Sequence, residues 1–394
     1  MSIEKETFAE LAQRLESLFQ RGVDAPLSEE AFNAWALRVF RMQFETNPVL
    51  RRYWEGRGAR PEGVSVWQEV PPVPTLAFKR VDFLAGVPAE AVFLTSGTSR
   101  GRGERGRHPV PRLSLYRASA LGNFSAHLLP EGNALPLVSL IPSPRAAPES
   151  SLSAMTEMVA EHVADEVFWV GEDAAERGVD VSAFLAAVER LSVQERPALL
   201  MGTAFAIVHL IEVLARRERT AVAHPGVGLS LHAPEDAQSA APRLPEGSRL
   251  MVTGGFKGRS REVARSDMEE RLQHILGIQP SHVVGEYGMT ELLSQLYEAH
   301  LRDPAAPCGV YRPPPWLRVR ALSPEDLSPR PDGEPGLLAF YDLANAGSVA
   351  AVLTEDVGRV EEDGVALLGR MPGAEPRGCS MALEHILASA EEAG

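Results

Sequence analysis

Between residues 75 and 345, short apolar runs alternate with helical patterns, and each run ends in a polar or glycine-rich turn. AVFLTSG, PLVSLIPS, EVFWVG, PALLMGT, RLMVTGG and SHVVGEYG each have the form of a buried strand leading into a turn. SAMTEMVAEHVA and VSAFLAAVERLS place apolar residues at helical spacing between them. Strands without a polar face must be covered on both sides, so the pattern predicts an α/β fold with mainly parallel sheets flanked by helices. In such sheets ligands sit beyond the carboxyl ends of the strands, which is where these turns fall.

The flanking regions read differently. Residues 1–60 are predicted helical from the spacing of Phe8, Leu11, Leu15 and Leu18, then of Phe32, Trp35, Ala36, Val39 and Phe40. A proline-rich connector follows, so 1–74 is expected to be an N-terminal helical region with its linker. The α/β domain is expected over 75–370, with a small β-rich part from Leu337 to about Leu368, and 371–394 form a short tail. With 44% apolar residues in 394, the chain can bury a substantial core. A net charge of −14 argues against nucleic acid or an anionic membrane surface as partner. Two cysteines make no disulfide framework, the N-terminus lacks the apolar centre of a signal peptide, and Leu199–Ala215 is interrupted by His209 and Glu212. A cytoplasmic protein without membrane insertion is the expectation. His209 is expected to be a core histidine, and no His/Cys cluster has zinc-ligand spacing.

Thr95, Ser96, Gly97, Thr98, Ser99 and Gly101 follow the AVFL strand. Small hydroxyl residues and glycines let a tight loop bring N–H and O–H donors to phosphate oxygens, and Arg100, Arg102, Arg105 and Arg107 add charge; a polar surface loop would look similar. Glu286, Tyr287, Gly288, Thr290 and Glu291 follow a second strand. Tyr287 could close a pocket, Thr290 contact a phosphate or acyl oxygen, and Glu291 hold Mg2+ beside ATP phosphates; a strand-to-helix turn is the plainer reading. Gly254 and Gly255, after RLMVT, let a ligand approach the backbone. Asp356 sits where its carboxylate could accept ribose hydroxyls, while Asp363-Gly364 signals a hairpin. Met201–Phe205 could line an acyl pocket or serve as ordinary core. His108 and His282 flank the loop and the tyrosine motif, and Cys308 has no pointer to function.

Taken in order, TSGTSRG, YGMTE and LTEDVGR with the later Gly369-Arg370 resemble the phosphate loop, the Tyr-Gly-x-Thr-Glu motif and the ribose-and-hinge region of the adenylate-forming enzymes. That superfamily holds the acyl-CoA synthetases, the peptide-synthetase adenylation domains and the luciferases. SSLSAM, TGGFKGRSREV, PPWLRVR and RGCS further resemble the LuxE-type acyl-protein synthetases. The resemblance implies ATP with Mg2+ as cofactor, AMP binding by the three motifs, and Arg370 beside the nucleotide. It implies that Cys379, in the place of that family's acylated cysteine, takes the acyl group. The group then passes to a thiol on a partner reductase, to an acyl carrier protein or to CoA. Arg370 or Arg377 would lower the Cys379 pKa, since the thiolate is the nucleophile. The chain has 24 residues after Arg370, so the superfamily's C-terminal lid with its lysine is expected to be missing; either Lys79 or Lys257 takes that part, or adenylation is slow, or the acyl group arrives already activated. Alternatives are an acyltransferase that moves a preformed acyl group to a carrier protein, and a non-catalytic scaffold subunit. The acid, whether fatty, aromatic or small, cannot be read from the sequence.

Overall fold

The computed structural model describes residues 6–84, 86–95, 105–171, 178–223, 243–254, 264–371 and 377–391. Three helices open the chain: α1 (Phe8–Phe19), α2 (Glu29–Thr46) and α3 (Pro48–Gly56). Thr7 and Glu10 cap α1 reciprocally, Ser28 caps α2, and Asn47 caps α3 with Pro48 at the first turn. The apolar stripe of α1, Leu11, Leu15 and Phe19, is fully buried. Its contacts join one continuous core with the strands, so the N-terminal helices share the core of the α/β region.

The strands are β1 (Val73–Pro74), β2 (Ala91–Leu94), β3 (Arg107–Val110), β4 (Leu137–Ser139), β5 (Val167–Trp169), β6 (Leu199–Thr203) and β7 (Arg249–Thr253). They continue with β8 (Val283–Tyr287), β9 (Leu296–Glu298), β10 (Val310–Arg312), β11 (Leu317–Leu322), β12 (Gly336–Asp342), β13 (Ala351–Glu361) and β14 (Gly364–Arg370). Between them lie α4 (Leu113–Leu128), α5 (Ser151–Val163), α6 (Val181–Val193), α7 (Ala204–Ala223) and α8 (Arg265–Leu276), and α9 (Arg377–Glu391) closes the chain. Among the described residues, β2 and β3 pair as a separate antiparallel ribbon, and the other strands form one twelve-stranded sheet in the order β11-β12-β13-β14-β10-β9-β8-β7-β6-β4-β5, with β1 parallel on β13.

The sheet has two halves. From β8 to β5 every pairing is parallel, the right setting for crossover helices. Along β6, Leu199 and Met201 face one core and Leu200 faces the other, so both sides of the strand are dry. From β9 to β11 the pairing is antiparallel. The β-rich C-terminal part therefore extends the same sheet. Its β13–β14 hairpin turns through Glu362 and Asp363, with Glu361 opposite Gly364, where the Asp-Gly signal lay. His209 is exposed and stacks on Phe205, its ring 6.5 Å away, so the expectation of a core histidine fails. The apolar stripe of α7 runs through Ile207, Leu210 and Ile211, and position 209 falls outside it. No described helix is long and apolar enough to cross a membrane.

Candidate active site

Parallel β7 and β8 end side by side, with Thr253 in register with Glu286. Glu286 is buried and accepts a short hydrogen bond from the Thr253 hydroxyl. Gly288 leaves room for the Glu286 carboxylate, because a side chain there would collide with Oε1. Gly254, at the exit of β7, has φ +71° and turns the chain away from the sheet. Gly255 and Lys257 lie outside the described residues.

Strand alternation sends Tyr287 to the face opposite Glu286. There its hydroxyl donates to Asp356 Oδ2 at 2.8 Å, and Arg370 Nε donates to Asp356 Oδ1 at 3.0 Å. The register explains the pair, since Asp356 lies opposite Arg370 in the β13–β14 hairpin. The Tyr287 ring stacks on Phe340 of β12, with centroids 5.5 Å apart. Burial, then the Asp356 charge, pushes the phenol well above its ordinary range, so Tyr287 stays protonated and donates.

The β2–β3 ribbon carries the loop that holds Thr95, Ser96, Gly97, Thr98, Ser99 and Gly101. Thr95 is described and the other five lie outside the described residues. Thr95 Oγ1 accepts from the Gly106 N–H at 2.8 Å, and the Thr95 N–H donates to the Gly106 carbonyl at 2.8 Å, which closes the loop at its base. Arg105 donates to the Thr95 carbonyl at 2.8 Å and pairs with Glu149 at 2.8 Å, while Arg107 pairs with Asp82 at 3.0 Å. Both of these arginines thus hold protein groups here.

His108 joins the ribbon to the tyrosine motif. It is fully buried on β3, and its Nδ1 donates to the Thr290 carbonyl at 2.6 Å. That bond fixes the tautomer and leaves Nε2 as an acceptor, buried without a partner. Burial lowers the His108 pKa to about 4, so the imidazole is neutral near pH 7. Glu291, also buried, has its carbonyl capped by Asn345 Nδ2 at 2.8 Å. The structure therefore brings Thr95, Thr290, Glu291, Tyr287, Asp356 and Arg370 into one region through direct contacts between their segments.

Cys379 lies elsewhere. It is fully buried on α9, which packs against α3, β1 and the 3-10 turn Thr75–Lys79. Gly378 is fixed by its N–H to the Pro324 carbonyl at 2.9 Å. Cys308 is exposed in a loop, His282 sits at the opposite end of β8, and Lys79 is exposed.

Sequence reasoning missed two buried carboxylates. Glu298 on β9 accepts from the Gly285 and Gly309 N–H groups, each at 2.6 Å, and pairs closely with Arg265. Asp342, at the end of β12, accepts from the Leu293 and Ser294 N–H groups at 3.0 and 2.9 Å and from the Ser294 hydroxyl at 2.6 Å. Burial raises the Asp342 pKa to about 6. Both belong to apolar strands whose only signal was a charge at an otherwise dry position.

Comparison with known proteins finds relatives in both sequence and fold. Residues 235–388 match the profile of the acyl-protein synthetase family LuxE. The chain is 23% identical over 370 residues to the long-chain-fatty-acid–luciferin-component ligase of Vibrio harveyi, covering 90% of this chain and 88% of that protein. The open conformation of 2-hydroxyisobutyryl-CoA ligase, in complex with 2-HIB-AMP and CoA, superposes with a TM-score of 0.59 at 18% identity, over 91% of this chain and 79% of that one. ATP-bound MatB from Rhodopseudomonas palustris aligns at 15% identity and a TM-score of 0.48 over 73% of this chain, which spans 48% of MatB. The chain is thus similar to the LuxE-type acyl-protein synthetases, on a fold shared with the CoA ligase, and is an enzyme of the ligase kind.

Proposed function

We propose that the protein activates a carboxylic acid with ATP as an acyl-adenylate and passes the acyl group to a thiol. The observation that carries this reading is the Tyr287–Asp356–Arg370 network, in a chain where Thr290 is bonded to the ribbon bearing the phosphate loop. Asp356 keeps acceptor capacity for sugar hydroxyls beside its two protein donors. Thr95 and its loop would take the phosphates. Gly254 and Gly255 let the base approach the backbone.

The carboxylate oxygen attacks the α-phosphorus, the bond to pyrophosphate breaks, and acyl-AMP remains. Neutral His108 and protonated Tyr287 add no charge against the phosphates. Glu291 would hold Mg2+ with phosphate oxygens, since a hard carboxylate suits an ion that takes few protein ligands, and the ion would offset phosphate charge. Lys257 or Lys79 would supply the remaining cation. In the second half-reaction the Cys379 thiol loses its proton, the thiolate attacks the acyl carbon, and the bond to AMP breaks. The thioester is then exchanged onto a partner protein, a carrier protein or CoA. Because Cys379 is buried on the face of α9 that packs against α3 and β1, this step requires α9 to undock. The Vibrio relative's name specifies a long-chain fatty acid and the CoA ligase's a short hydroxy acid. Both classes belong in the substrate panel.

Intact mass spectrometry after incubation with ATP–Mg2+ and a panel of acids tests the reading. The expected result is an acyl adduct that disappears in Cys379→Ser while pyrophosphate release persists. Pyrophosphate release without an adduct on the wild type would remove Cys379 from the pathway. No pyrophosphate with any acid would favour transfer of a preformed acyl group.

A further inference from the structure

Between β8 and β9 the chain leaves the sheet at Gly288 and returns at Leu296, carrying Thr290 and Glu291. The one local backbone bond found there runs from the Leu292 N–H to the Met289 carbonyl, at 3.1 Å. Remote side chains do the rest. His108 donates to the Thr290 carbonyl at 2.6 Å and Asn345 to the Glu291 carbonyl at 2.8 Å. Asp342 accepts the Leu293 and Ser294 N–H groups on one oxygen, and the Ser294 hydroxyl and the Ala344 N–H on the other.

Asp342 differs in kind from the other two. Its residue is fully buried, and both oxygens are used by two donors each. An amide at this position would turn its NH2 toward donors on one side. A buried carboxylate costs stability against an apolar residue of similar size, so packing alone does not account for it. Position on β12 adds the second argument. Phe340 and Asp342 are two residues apart on one strand and so share a face. Phe340 stacks on Tyr287 where the turn begins, and Asp342 holds Leu293 and Ser294 where it ends. One rigid strand therefore spans the segment from its tyrosine to its serine.

We propose that Asp342 is a positioning residue for adenylation, acting through Leu293 and Ser294 to hold Thr290 and Glu291 toward the nucleotide. This rests on the function proposed above. The titratable group facing Asp342 from α4 is Tyr116, whose phenol burial keeps protonated. Toward acid the Asp342 carboxylate takes up a proton, with its folded pKa near 6 against an ordinary 3.8. The folded-state value is the higher one, so protonation favours the fold while it removes acceptors from the turn. Activity and stability should then move in opposite directions on that limb.

The test measures ATP–pyrophosphate exchange, melting temperature and amide hydrogen exchange in wild type, Asp342→Asn and Ser294→Ala between pH 5 and 8. For Asp342→Asn, a kcat lower by about tenfold or more, with KM for ATP within about threefold, is expected for lost orientation in the transition state. Its acid limb near pH 6 should vanish, and the Leu293 and Ser294 amides should exchange faster. Ser294→Ala, which deletes one donor, should lose roughly threefold in kcat, and it decides the matter if Asp342→Asn does not fold. A kcat within about twofold of wild type, or a loss that follows the unfolded fraction with the acid limb unmoved, would overturn the proposal. A wild type without exchange activity would sink the function reading. Separately, protection of the two amides that survives Asp342→Asn would sink the positioning role.

Discussion

Tyr287 and Cys379 are both enclosed by the fold, and what encloses them is different. Around Tyr287 the covering groups are polar and directed: Asp356 and Arg370 in one hydrogen-bonded chain, with Phe340 against the ring. Around Cys379 they are apolar: α9 closes against α3 and β1 with Ala382 and Ile386 fully buried beside it. The first arrangement suits the hydroxyl-bearing ligand proposed above. The second shields a thiol from anything outside the fold. If Cys379 receives the acyl group as proposed, it must be released from this packing, while the groups around Tyr287 are already held by their hydrogen bonds.

The contrast can be broken at either end. Ile386→Ala attacks the apolar side. Truncating a buried isoleucine costs about 2–4 kcal/mol, and if that cost falls on docking of α9, the undocked population rises about thirtyfold or more. Alkylation of Cys379 by a thiol reagent should accelerate accordingly, with pyrophosphate release unchanged. Unchanged labelling would mean that Cys379 does not depend on α9 docking. On the polar side, Asp356→Ala strands Tyr287 and Arg370 and should raise KM for ATP by about tenfold to a hundredfold, as expected for a charged hydrogen-bond acceptor worth roughly 1.5–3 kcal/mol. An unaltered KM would detach Asp356 from the nucleotide.

The smallest effect sharpens the link between the ribbon and the tyrosine motif. His108 has a folded pKa near 4 against an ordinary 6.5. That depression contributes stability above about pH 6.5 and loses it as pH falls toward 4. From pH 7 to 5 the loss should reach about 1–2 kcal/mol. Asp342 works in the opposite sense over this range, so the comparison is between wild type and His108→Gln by thermal melting at both pH values. Equal pH slopes in the two proteins would show that His108 is not the group responsible.

Much of this arrangement is legible in the sequence. The strand-like runs appear as β2, β4, β5, β6, β7 and β8, because a fully apolar strand ending in Gly or Thr is a local signal. Tyr287 and Asp356 could be named from their motifs, and register places Arg370 opposite Asp356, but the contact of Tyr287 with Asp356 joins strands that are not neighbours in the sheet. Asp342, Asn345 and the bond made by His108 were illegible for one reason. Their partners are backbone groups 48 to 182 residues away, and no spacing along the chain records them. The burial of Cys379 was hidden similarly, since α9 is amphipathic but nothing in its sequence names α3 as its cover. Ser96, Gly97, Thr98, Ser99, Gly101, Gly255 and Lys257 stay proposals from their motifs alone.

Gln43, in α2, donates to the Asn345 and Ala346 carbonyls at 2.8 and 3.1 Å and accepts from the Ala350 N–H at 3.3 Å. These bonds bridge more than 300 residues. During synthesis, α1 to α3 leave the ribosome long before the segment that will seat them. The stripe of α1 can close on α4 early, but the seat of Gln43 waits until about residue 350 emerges and the face of α3 until α9 follows, and closing so long a loop is slow. Fragments cut ahead of that point should therefore aggregate, and chaperone dependence should be concentrated in the first helices made.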